Sequence, residues 1–171
     1  MIPGRPPRRS GPAAPISVVS TARKPGLRST TLRSLVRGAL ERLGRPRAGV
    51  TVVLTGDEHL RQLNRDYREV DRPTDVLSFP RAEPEALADP DRRVFLGEIY
   101  ISLETARAQA RAARRPYARE VAHLTVHGLL HLLGHDHPTA GDRRRMAALE
   151  ARLLRALAPD VARLSARREM V

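Results

Sequence analysis

The string HGLLHLLGHDH, His127 to His137, limits more than any other stretch what this chain can fold into. His127 and His131 are four residues apart, so on a helix their azimuths differ by only about 40°. Both imidazoles can then reach one ion. Leu129, Leu130, Leu132 and Leu133 make the same helix apolar, which marks it for the core. Burying imidazoles among leucines costs free energy unless something pairs with them. Gly134 stands where a left-handed C-terminal residue belongs. The chain can turn back there and bring His135, Asp136 or His137 to the same point. Imidazole suits zinc and other borderline metals, and three protein ligands leave a fourth position for water. The bland alternative is a set of core histidines or a solvated polar stripe. A spaced pair followed by more histidine after a helix-ending glycine favours metal.

The rest of the composition removes competing chemistries. There are no cysteines, which excludes a disulfide scaffold, a thiolate zinc site, an iron–sulfur cluster and a cysteine nucleophile. Aromatic residues are 3%, too few for a module that stacks successive bases on ring faces. The length of 171 residues is that of one domain. The net charge of +12 predicts attraction to a polyanion, with affinity falling as salt rises. Compositional bias competes with that reading, because every basic residue except Lys24 is Arg. Arginine nonetheless suits phosphate, which it can pair with bidentately.

Periodicity divides the chain. Residues 1–15, rich in Pro and Arg, are expected to be a disordered basic tail. No signal-peptide core follows and no run approaches a membrane span, so a soluble, cytoplasmic protein is expected. Strands are predicted over 16–19, 50–55, 74–79 and 94–102, the last interrupted by Gly97. Helices are predicted from a cap at Ser29 or Thr30 to Gly44, over 57–70 behind a Thr55–Glu58 capping box, over 104–115, and over 117–133. A last helix opens at the Thr139–Asp142 capping box and stops at Pro159. Residues 81–93, with Pro84 and Pro90, read as a loop. Residues 16–158 are then expected to form a single α+β (α/β-like) domain: a small mixed four-stranded sheet packed by about five helices, with the metal site on a helix and the following loop. Residues 159–171 are expected to be a charged tail.

The zinc peptidase signature His-Glu-x-x-His carries its general base at the second position. Here that position is Gly128, which disfavours a peptidase and suggests a gap beside the metal for a bulky substrate. Glu120 and His123 lie seven and four residues before His127, so both can face the site, although structural roles are the plainer reading. Asp71 and Asp75 flank Pro73 and suit a turn and a strand start.

The segment AHLTVHGLLHLLGHDH from Ala122 closely resembles the YbeY family of bacterial rRNA maturation factors. The matching positions are His127, Gly128, Leu130, His131, Leu132, Gly134, Asp136 and His137, with His135 standing where the family usually has Tyr. A second match runs from Asn64 through Tyr67, Arg68, Asp71 and Pro73 to Pro80. A third is Leu96-Gly97-Glu98-Ile99, where Glu98 replaces the usual Asp. The resemblance implies a mixed sheet packed by helices, His127, His131 and His137 as ligands of one Zn2+ per chain, and Arg68 as the functional arginine. It implies a zinc-dependent, single-strand-specific endoribonuclease acting in rRNA maturation (the 16S rRNA 3′ end) and ribosome quality control. The expected partners are single-stranded RNA or rRNA and the ribosome or its small subunit, with no membrane. The competing readings are a ribosome-associated RNA-binding factor with a mainly structural metal and, more weakly, a metallopeptidase. On the endoribonuclease reading, three neutral imidazoles keep the ion's +2 charge and bring water on it to a pKa near ~7. Arg68 can meet the charge that builds on the phosphoryl oxygens.

Overall fold

The computed structural model describes residues 11–166. Four strands form one mixed sheet in the order β1-β2-β4-β3. They are β1 (Ile16–Ser20), β2 (Ala48–Thr55), β3 (Val76–Pro80) and β4 (Val94–Ser102). β1, β2 and β4 run parallel, and β3 pairs antiparallel on β4 as an edge strand. Gly97 does not split β4. Its neighbourhood is a bulge that puts one extra residue of β4 between the pairs Gly49–Phe95 and Thr51–Glu98.

Seven helices accompany the sheet among the described residues: α1 (Ser29–Arg42), α2 (Asp57–Arg68), α3 (Pro84–Leu87), α4 (Leu103–Ala112), α5 (Tyr117–Leu132), α6 (Ala140–Ala156) and α7 (Ala158–Arg163). Five correspond to the predicted helices. The two extra ones are single short turns that begin around proline, a residue tolerated at a helix start because its missing N–H has no intrahelical partner there. α3 therefore interrupts the expected loop of 81–93.

Residues alternate between sheet faces, and the two faces carry different layers. Ile16, Val50, Val52, Leu54, Ile99 and Ile101 pack with α1 and α5 in the main core. α5 is central to it, with Val121, Ala122, Val126, Leu129 and Leu130 fully enclosed. On the other face α2 rests on a row of rings. Tyr67 meets Phe79 edge-to-face at 5.0 Å, Phe79 meets Tyr100 at 5.6 Å, and Tyr100 meets His59 at 5.5 Å. Such pairs add to the area they bury and fix the last turn of α2 on the β3–β4 edge.

Several local expectations are corrected. α1 is preceded by Arg28, not capped by Ser29 or Thr30. The Thr55–Glu58 capping box does not form, because its side chains have other partners. The Thr55 hydroxyl bonds Thr21 and His59. Asp57 accepts from the hydroxyls of Ser102 and Thr105, and its own N–H donates to Glu104. The starts of α2 and α4 are thereby tied together. α2 ends at Arg68 because Glu69 turns left-handed at φ 56°. The Thr139 box does form, the hydroxyl accepting from the Asp142 N–H.

The chain does not become a tail after residue 158. Leu157 and Leu164 are buried and Val161 packs beside them, continuing the apolar stripe past Pro159. The Leu164 carbonyl accepts from the Arg28 N–H, and Ala166 donates to Gly26. At the other end Ala14 is buried and its N–H donates to Arg47, so the packed chain begins before Ile16. Residues 1–10 of the expected basic tail and 167–171 of the charged tail lie outside the described residues.

Candidate metal centre

α5 places His127 and His131 on one stripe, with their Nε2 atoms 3.0 Å apart. The helix ends in a full reversal. Gly134 takes φ +87°, its N–H donates to His131 and the N–H of His135 donates to Leu130. This is the Schellman pattern, which turns the chain and satisfies the last carbonyls. Position 135 is thereby spent on the reversal, and His135 ends exposed. Asp136 accepts from the N–H of His137 at 2.8 Å and so shapes the turn. His137 comes back over the helix, its ring 5.2 Å from that of His131 and 6.0 Å from that of His127. One nitrogen from each of the three rings lies within 4.8 Å of the others. Of the three candidates at the turn, the reversal brings His137 to the pair.

The donor set fits a small borderline cation. With nitrogens at ~2.0–2.1 Å from a tetrahedral ion, neighbouring ligand atoms stand roughly 3.3 Å apart, near the separation seen for His127 and His131. The protonation of His131 also fits. Burial first, then the neighbouring His127 and His137, holds His131 below its ordinary range and therefore neutral, with a lone pair to give. Arg68 adds in the same direction, so its charge is felt at the centre.

Glu150 is the residue that sequence reasoning missed. It lies on α6, only 7% exposed, and accepts from His127 Nδ1 at 2.5 Å and from His123 Nε2 at 2.9 Å. Burial works against its charge, but the two histidine hydrogen bonds outweigh it and bring the carboxyl down to about 2. The first of them fixes the proton of His127 on Nδ1 and frees Nε2 toward the cluster. The second, from His123 Nε2, raises His123 against the effect of its burial. Glu120 is buried away from the cluster and pairs with Arg115 at 2.7 Å. A signal for Glu150 existed: it falls on the apolar stripe of α6, between Met146 and Leu153, where a carboxylate needs a buried partner.

The expected gap at Gly128 is not beside the cluster. A Cβ there would stand 2.7 Å from Ile99 Cγ2 and 3.1 Å from Ser78 Oγ, whose hydroxyl already donates to the Gly128 carbonyl. The glycine lets α5 approach the sheet. No glutamate fits at that position, so the base of the His-Glu-x-x-His peptidases has no counterpart. Asp71 pairs with Arg61, and Asp75 accepts from the Val76 N–H and from Gln109. Arg68 is exposed in the last turn of α2 and has no hydrogen-bond or ion-pair partner among the described residues.

Fold and site together define an α+β protein with an open centre of three imidazoles on one helix and the turn after it. The family model described as Endoribonuclease YbeY matches residues 20–158. The chain belongs to the YbeY family. It is 46% identical over 125 residues to an Endoribonuclease YbeY of an Anaeromyxobacter species, covering 73% of this chain and 62% of that protein. It is 44% identical over 139 residues to that of Thermus thermophilus, covering 81% of this chain and 98% of that protein. The solution structure of TM1509 from Thermotoga maritima shares the fold at TM-score 0.55 and 23% identity, covering 85% of this chain and 93% of that one. No described helix is long and apolar enough to cross a membrane.

Proposed function

We propose that this protein is a zinc-dependent, single-strand-specific endoribonuclease that acts in rRNA maturation, at the 3′ end of 16S rRNA, and in ribosome quality control in the cytoplasm. The observation that carries the reading is the convergence of His127, His131 and His137, with the His127 tautomer set by buried Glu150. The relatives' shared description as endoribonucleases supports the same chemistry.

His127, His131 and His137 would hold the ion. When bound, it supplies positive charge that polarises a phosphodiester and lowers the pKa of water. The remaining work belongs to the chain. Three neutral ligands add no negative charge, so the centre stays attractive to phosphate. Arg68 projects from a turn pinned by the Tyr67–Phe79 contact and offers a planar fork to the oxygens on which charge builds. Glu150 keeps its proton-accepting face on His127 and His123, which makes it a positioning residue.

The test is metal analysis of the purified chain and of His131→Ala, followed by incubation of both with a single-stranded RNA. The expected result is about one zinc per wild-type chain, little in the variant, and cleavage by the wild type alone. Equal cleavage by both proteins, or binding of RNA with no cleavage by either, overturns the proposal. Product ends then assign the nucleophile: a 2′,3′-cyclic phosphate reports attack by the RNA 2′-hydroxyl, and its absence reports water.

A further inference from the structure

A wide groove among the described residues lies at the other end of α5 from the histidines. It measures about 1550 Å³ and runs between the start of α5, the outer side of α6, α7 and the 24–28 segment. Lys24, Arg28, Arg107, Arg119, Arg155 and Arg163 line it, and no Asp or Glu does. Other exposed arginines are offset by acids, as in Arg61–Asp71, Arg81–Glu98 and Arg145–Asp142. Within the groove Arg163 pairs with Asp160, and Arg107 is held over the Tyr117 ring at 4.7 Å while donating to the carbonyls of Lys24 and Pro25. Lys24, Arg28, Arg119 and Arg155 are exposed with no acidic partner among the described residues. The start of α5, which no side chain caps, lines the groove at Pro116, Tyr117, Ala118 and Arg119, and the positive end of its dipole adds to the field there.

From these observations we infer that this groove is a second RNA-binding site, which grips the sugar–phosphate backbone of a long substrate away from the cleavage centre. Unopposed guanidiniums on a concave surface favour a flexible chain of phosphates over a single anion. Ala118 and His131 are thirteen positions apart on α5, or about 20 Å along the axis. An RNA that fills the histidine centre must extend several nucleotides before it reaches the groove. The site therefore acts on long RNA and is silent for short oligomers. The choice of RNA over an acidic protein rests on the endoribonuclease reading.

The test separates the two. Arg28, Arg119 and Arg155 are changed together to Gln in the full chain. A control removes equal charge outside the groove at Arg33, Arg92 and Arg111. Binding to RNAs of about forty and about six nucleotides is measured by fluorescence anisotropy across a salt series, in chelator so that no cleavage occurs. For the long RNA the groove variant is expected to lose at least about tenfold in affinity near 0.1 M salt, and its log K against log salt slope to flatten by roughly two to three. Its binding to the short RNA, and its melting curve, stay with the wild type. The control keeps most of the long-RNA affinity. Cleavage is scored separately with zinc restored: loss of binding in the groove variant without cleavage by any form keeps the second site and removes the nuclease reading. Cleavage by the wild type with unchanged long-RNA affinity in the variant overturns the inference. So does an equal loss in the control, or a loss of binding to polyglutamate alone.

Discussion

Replacing Glu150 by Gln tests whether the histidine centre depends on a group behind it. The carboxylate accepts one proton from His127 and one from His123, and both donors lie in a half-buried space beneath α6. The amide keeps the shape but has one acceptor oxygen where two are in use, and it presents an N–H₂ to one of the rings. It also removes the charge that holds the Nδ1 proton of His127 and strengthens its Nε2 as a ligand. Such partners of metal-bound histidines contribute about 10–100-fold in metal affinity. The corresponding loss is about 1.4–2.7 kcal/mol. Isothermal titration of metal-stripped protein with Zn2+ reads the change directly. A second reading comes from thermal melts at fixed excess zinc, where a tenfold weaker site gives about 1.4 kcal/mol less metal-induced stabilisation. Excess zinc should bring back much of the RNA cleavage, since no residue touching the substrate has changed. A folded Glu150→Gln protein that binds zinc as tightly as the wild type refutes the reasoning, and Glu150 would then be a packing partner only.

Gly128→Ala should destabilise the fold by about 1 kcal/mol or more, because the crowding against Ile99 and Ser78 exceeds what alanine returns in helix propensity. A lowered urea midpoint with an unchanged slope checks this. Asp57→Ala leaves the fully buried Ser102 hydroxyl and that of Thr105 without their acceptor and should cost about 1–3 kcal/mol, seen in the same titration. Arg68→Lys should leave the melting temperature unchanged, since the side chain is exposed and unpartnered, while RNA cleavage falls steeply if the planar fork is needed. Retained cleavage in that variant would assign Arg68 a plain charge role.

The elements that were readable from the sequence are those whose signal is local. β4 and α5 stand within a residue of their expected bounds because an apolar run bounded by charged residues and an apolar 3.6-residue period leave few alternatives. The misreadings occur where the deciding partner is distant in the chain. Thr55 and Asp57 look like the two ends of a capping box, yet Thr55 turns to Thr21 and His59 and Asp57 turns to Ser102 and Thr105. Pro159 reads as a stop, and it does end α6. The apolar positions Leu157, Val161 and Leu164 then carry the chain on against α1 and the strand-like bridge at Leu27. A stop signal reports where one helix cannot continue and says nothing about whether another begins.

The candidate site divides along the same line. His127, His131 and the reversal at Gly134 are written in eleven consecutive residues, and the Schellman bonds explain why position 137 returns while position 135 is spent on the turn. Glu150 is thirteen residues further on, on a helix joined by its own turn, and its role appears only when α6 docks against α5. Gly128 shows the reverse error. Beside two histidines its lack of a side chain suggests room for substrate, whereas the space it leaves is occupied by Ile99 and Ser78. A glycine within a helix reports that something approaches closely. The pairing of the sheet decides whether that neighbour is a ligand or the protein's own sheet, and here Ile99 of β4 and Ser78 of β3 lie directly under α5. The centre thus sits on a rigid face, with Glu150 bonded behind it and the charge of Arg68 close enough to act on His131.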